Sequence, residues 1–116
     1  VEELRDYNTK FTQNGKVNFL YIVRFVRKYS DFYKIVFTNN ISTKLLDEMY
    51  AELKKEYCMA FGKKDIEQTK LDYMYTFTES GVSSILKKWV RGGMAESEDY
   101  IADLISEIFI SMHSHI

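Results

Sequence analysis

Proline is absent from the 116 residues, against an average usage of roughly 5%. Nothing of that kind interrupts a long helix. Glycine is scarce, at five residues, and Gly15, Gly62, Gly92 and Gly93 fall where segments end. The single cysteine, Cys58, excludes an internal disulfide and fits a reducing compartment. No apolar run approaches the ~18 residues of a membrane span, so no membrane association is expected. Net charge is −1, with Lys and Arg dispersed, which leaves no electrostatic footprint for nucleic acid. No strict alternation bounded by turn dipeptides marks a sheet, and the expected class is all-α. A Gly-rich phosphate loop and a G-x-S-x-G elbow are both missing, so no enzyme and no cofactor is expected. No signal peptide opens the chain, which is expected to work in the cytoplasm. The start at Val1, without an initiator Met, is expected of a piece of a longer protein whose upstream domain is missing.

What the chain does contain centres on Ile66 to Gly93. As one helix at about 100° per residue, its apolar residues from Ile66 through Trp89 cover roughly 220° of the circumference. An ordinary surface helix needs about 100°, so this one has two faces to bury. Asp65 and Gln68 read as a variant capping box at its start. Arg91 followed by Gly92-Gly93 supplies a cation and a left-handed stop at its end. Gly81 costs about 1 kcal/mol relative to Ala in a helix interior. It lies within the apolar arc, which predicts a helix-contact glycine where another backbone approaches closely; a tolerated accident is the alternative.

The rest of the chain is ordered around that helix. Val1 to Asn14 reads as a short or frayed lead-in, broken at Asn14-Gly15. Val17 to Tyr29 is apolar nearly all round and reads as a buried helix, with a strand as the alternative. Ser30-Asp31 restarts the chain as an N-cap for a two-turn helix, Phe32 to Thr38, closed by Asn39-Asn40 in the left-handed region. Ser42, with an Ile41–Leu46 staple, caps a one-sided helix running to about Phe61. Ser97, followed by Glu98 and Asp99, caps a last helix whose apolar arc is roughly 180°. The last two helices thus both carry more apolar surface than one small domain covers. Such a patch marks an interface, and a symmetric homodimer is the commonest solution. Ile85, Trp89, Ile101, Leu104, Ile105, Ile108 and Phe109 are the expected dimer interface.

Little chemistry stands out. His113-Ser114-His115 offers two imidazoles without a third ligand and reads as a tail, so no metal is expected. Cys58, between Tyr57 and Met59, reads as a structural thiol. Asp47-Glu48 and Glu98-Asp99 read as helix-surface and dipole charges. The aromatic load of nine Tyr, eight Phe and one Trp is the remaining clue. Buried Tyr hydroxyls need partners, so a Tyr-rich interior is either packed core or the lining of a pocket for a small apolar ligand. Phe25, Tyr29, Tyr33, Tyr50, Tyr73, Met74 and Phe77 are the pocket candidates.

One pattern joins these parts. Phe77-x3-Gly81-x3-Ile85-x3-Trp89-x2-Gly92-Gly93, then Met94 and the Ser97-Glu98-Asp99-Tyr100-Ile101 start, resembles the C-terminal domain of TetR-family transcriptional regulators. The subgroup typified by dihydroxyacetone-kinase regulators is the nearest. Tyr29-Ser30-x-Phe32-Tyr33-Lys34 and the helix from Leu45 to Phe61 follow the same order, so the resemblance covers nearly the whole chain. It implies a single ligand-sensing and dimerising domain over residues 1–116, whose last two helices form a four-helix bundle with those of a second copy. It also implies DNA binding through an N-terminal helix-turn-helix, of which this chain carries no part. A free-standing helical module that docks a protein partner through its last two helices is the alternative.

Overall fold

The computed structural model describes residues 19–39, 44–62 and 66–113. Five helices fill them: α1 (Leu20–Lys28), α2 (Ser30–Thr38), α3 (Lys44–Phe61), α4 (Gln68–Arg91) and α5 (Glu98–His113). No strand occurs among the described residues. The all-α class is as expected, and the Val17 to Tyr29 segment is helical rather than extended from Leu20 onward. The lead-in Val1 to Asn14, the Gly15 break, the Ser42 cap with Ile41 of its staple, Asn40 and Asp65 lie outside the described residues.

Helix ends differ from expectation in several places. Only Tyr29 separates α1 from α2, and Ser30 is the first helical residue of α2 rather than its cap. Asn39 ends α2 at φ −101°, outside the left-handed region, and its side-chain amide instead donates to the Ile35 carbonyl at 3.0 Å. Glu67, without a side-chain cap bond, is the N-cap of α4, and Gln68 is its first helical residue. Gln68 Nε2 donates forward to Asp72 Oδ1 at 3.2 Å. Ser97 behaves as read: the Tyr100 amide donates to its Oγ at 3.1 Å, with Glu98 and Asp99 in the first turn of α5.

The 24 residues of α4 make a spine of about 36 Å. α2 and α3 both pack on it, and α5 packs on both α4 and α1. That packing explains why the α5 residues Ile101, Ala102, Ile105 and Phe109 are all buried. They meet the core side chains of α1, with the rings of Phe19 and Phe109 edge to face at 5.3 Å.

The α4–α5 turn is held from three directions. Gly93 and Met94 adopt φ of +81° and +54°. The left-handed region is uncommon for a residue with a Cβ, so Met94 needs support. Its amide donates to the Trp89 carbonyl at 2.9 Å, while its own carbonyl accepts from Arg27 Nη2 at 3.1 Å. Trp89 Nε1 donates to the Glu96 carbonyl at 3.0 Å. The Arg27 guanidinium lies 5.4 Å from the Trp89 ring centre, and Arg24 and Arg27 reach Glu98 at 3.5 and 3.9 Å. Arg91, read as a dipole cation, does more: its Nε donates to the Phe37 carbonyl at 3.0 Å, and its Nη2 to the same oxygen.

Candidate functional site

The seven pocket candidates fall into three environments. Phe25 and Tyr33 are buried in the core, ring centres 6.4 Å apart, with Tyr29 against Phe25 at 5.1 Å on the outer side. Tyr50, half-buried, donates to Ser83 Oγ at 2.6 Å, and Tyr75 donates to the Tyr50 carbonyl at 2.9 Å. Burial pushes the Tyr33 and Tyr75 phenols well up, with the Glu79 carboxylate adding to the effect at Tyr75 and Tyr50 at Tyr33. Met74 packs half-buried against the core. Tyr73 and Phe77 stand outside it, 74% and 67% exposed. The seven therefore do not converge: a helix that turns Leu71, Tyr75 and Thr78 inward must turn 73 and 77 outward.

The expected interface divides in the same way. Trp89, Ile101, Ile105 and Phe109 are buried within the chain itself; Ile105 and Phe109 still line a concavity between α4 and α5, whereas Trp89 and Ile101 are covered by this chain rather than left for a second copy. The reading needs correcting there. α1 covers the Ile101–Ile105–Phe109 stripe of α5, and the arc that seemed surplus is partly spent inside the monomer. Ile85 and Leu104 are half-buried, and Ile108 is exposed.

What remains uncovered is a neighbouring column. Tyr73 and Phe77 of α4 and Ile108 and Met112 of α5 are exposed large apolar residues. Between them a concavity opens, lined by Phe77, Thr78, Gly81, Val82 and Ile85 on α4 and by Ile105, Ile108, Phe109 and Met112 on α5. Among the described residues no charged side chain lines it, and it holds about 90 Å³. Gly81 sits in its α4 wall. A Cβ built there meets nothing within 4 Å, so among the described residues no backbone approaches the glycine as expected. The apolar stripes 101/105/109 and 104/108/112 of α5 look alike in sequence, and only the position of α1 decides which is covered.

His113 also departs from expectation. It is not part of a tail: its ring is buried, stacked 4.1 Å from Phe109 and 5.0 Å from Phe61. Its Nδ1 lies 2.8 Å from the Phe109 carbonyl and its Nε2 2.6 Å from the Tyr57 hydroxyl. Ser114 and His115 lie outside the described residues. Among the described residues no group of three His, Cys, Asp or Glu side chains could hold a metal ion. Cys58 is a half-buried free thiol. None of the described helices is long and apolar enough to cross a membrane.

The comparisons with known proteins agree with the architecture. The TetR family model described as "Transcriptional regulator C-terminal region" matches residues 13–111. No curated protein and no solved structure matches the chain. The family match takes in all five helices but for the last two residues of α5. This chain belongs to the C-terminal regulatory region of TetR-family transcriptional regulators.

Proposed function

We propose that the chain is one sensing and dimerising domain, 1–116, of a regulator akin to the dihydroxyacetone-kinase regulators. DNA contact would be left to an N-terminal helix-turn-helix outside it. The observation that carries dimerisation is the apolar column left open on the last two helices: Tyr73, Phe77, Ile108 and Met112, all exposed, around an uncharged concavity. Contiguous exposed apolar surface of this kind marks a binding face, and a two-fold pair is the commonest way to cover it. The seam runs through Phe77, Ile85, Leu104, Ile108 and Met112, one column over from the buried stripe. An obligate interface should bury on the order of 2,000 Å² in total.

Sensing draws on a different region. The Tyr33, Tyr50 and Tyr75 phenols lie where α2, α3 and α4 meet; Tyr50 and Tyr75 are bonded to Ser83 and to the Tyr50 carbonyl, and a ligand carrying its own polar group would exchange for those bonds in an otherwise apolar interior. The ligand class is a small, mainly apolar organic molecule with a hydrogen-bonding group.

Sedimentation equilibrium of the whole chain at micromolar concentration tests dimerisation. A dimer is expected. A monomer with the same helical content would favour a helical module that docks a heterologous partner through this face. A thermal-shift screen tests sensing separately: a library of small apolar compounds that never moves the Tm would leave dimerisation as the only supported role.

A further inference from the structure

Among the described residues nothing packs closely enough against Gly81 to require a glycine there. It lies mid-helix, where Ala would be favoured over Gly, and no atom of another element comes within 4 Å of where its Cβ would stand. It forms the wall of a hollow between α4 and α5, and one turn away Phe77 projects into solvent, 67% exposed. A missing side chain, an uncharged hollow and an apolar knob thus share one face.

Two occupants could fill the hollow, a small molecule or a side chain. At about 90 Å³ it is far below the ~300 Å³ at which small-molecule sites begin. A small ligand would also leave Tyr73, 74% exposed one turn beyond Phe77, uncovered. A second copy answers both points, because a two-fold axis places the knob of each copy against the hollow of the other. We infer that the two α4 helices of the dimer cross at Gly81, with the Phe77 ring of each copy seated in the partner's hollow between Gly81 and Ile108. This assignment rests on the dimer reading above and specifies its crossing point. The hollow is incomplete without the second copy, and the glycine is then required by the interface.

The crossing gives Gly81→Ala effects of opposite sign on chain and dimer. Within one chain the methyl meets no neighbour, so helix propensity makes the folded chain more resistant to urea at dilutions where it is monomeric. Across the two-fold the methyl separates the helices and raises the dimer Kd. Sedimentation equilibrium of the whole chain should show Kd rising at least ~10-fold for Phe77→Ala and ~100-fold or more for the hollow-filling Gly81→Leu. Circular dichroism should show the helical content unchanged in both, since both positions are exposed. Met59→Ala, an exposed apolar position on α3, should leave Kd unaltered. If the wild type is dimeric and neither Gly81→Leu nor Phe77→Ala changes Kd, the crossing point is wrong while the dimer stands. If the wild type is monomeric throughout, the dimer reading falls and the crossing point with it.

Discussion

The Tyr57 hydroxyl donates to Nε2 of His113 across 2.6 Å, tying the last turn of α5 to the C-terminal half of α3. The direction follows from the other ring nitrogen. Nδ1 faces the Phe109 carbonyl at 2.8 Å, which can only accept, so Nδ1 carries the proton and Nε2 is left as the acceptor. The neutral imidazole is the form that fits. Burial accordingly lowers the His113 pKa from its usual value near 6.5, against a smaller opposing effect of the Phe109 carbonyl.

The lowered pKa fixes the sign of a pH effect. Above about pH 6.5 both folded and unfolded His113 are neutral, and its contribution to stability is fully present. As pH falls below that value the unfolded chain takes up the proton first, and stability is lost until the folded ring protonates too. Urea denaturation between pH 7.5 and 5 should show the midpoint falling, and His113→Gln should flatten the fall. At neutral pH, Tyr57→Phe leaves a buried acceptor without its donor and should cost about 1–3 kcal/mol. An unchanged midpoint in Tyr57→Phe would show that the bond contributes nothing.

Ser97 is the one described cap that bonds through its side chain in the way its sequence position suggests. Ser97→Ala should lower stability by about 1 kcal/mol. Because the cap is exposed, Ser97→Asp should keep or slightly improve it, the carboxylate adding a favourable charge at the helix N-terminus. Chemical denaturation of the three proteins side by side reads the difference.

Arg27 acts on three groups at once, the Met94 carbonyl, the Trp89 ring and Glu98. Arg27→Met should cost about 1–2 kcal/mol, from one hydrogen bond and one cation–π contact. Glu98→Gln should cost under about 1 kcal/mol, because that ion pair is long and partly solvated. Arg27→Lys should rescue little, since an ammonium cannot hold the fork and the ring contact together. Equal losses for the Glu98 and Arg27 variants would contradict this ranking.

Trp89 is the sole tryptophan and is 2% exposed. Its native emission should lie well to the blue of free indole and move red on unfolding. Trp89→Phe keeps an aromatic ring but loses the donor to the Glu96 carbonyl, and should cost about 1 kcal/mol or more, as the carbonyl loses a partner and the smaller ring leaves space. A native spectrum resembling free indole would contradict the burial.

Much of this fold was legible because helices announce themselves locally. Gly92-Gly93 after Trp89 gave the end of α4, and Ser97 gave the start of α5. The surplus apolar arc of α4 and α5 falls on the two helices that carry the open apolar column. What could not be read was which column each helix turns inward. Ile105 and Ile108 are equivalent on a helical wheel until α1 is laid against one of them. Tyr73 looked like pocket lining for the same reason, and Phe77 lines the hollow between α4 and α5 rather than one between α4 and the helices before it. His113 was misjudged because its partners, Tyr57 and Phe61, are more than fifty residues away, and a histidine near a chain end carries no local sign of burial.

Three polar contacts around α4 share a property. Arg27 ends on the carbonyl of Met94, Arg91 on that of Phe37, and Trp89, at shorter range, on that of Glu96. Every residue type carries the same main-chain oxygen, so the accepting positions can drift in identity without losing the bond. Across relatives of this chain the two arginines and the tryptophan would then stay put while residues 37, 94 and 96 vary. Methods that infer proximity from paired changes would find no pairing to detect. The struts that fix the α4–α5 turn and hold α2 to α4 would be invisible to them, and only the donor side would register as constrained.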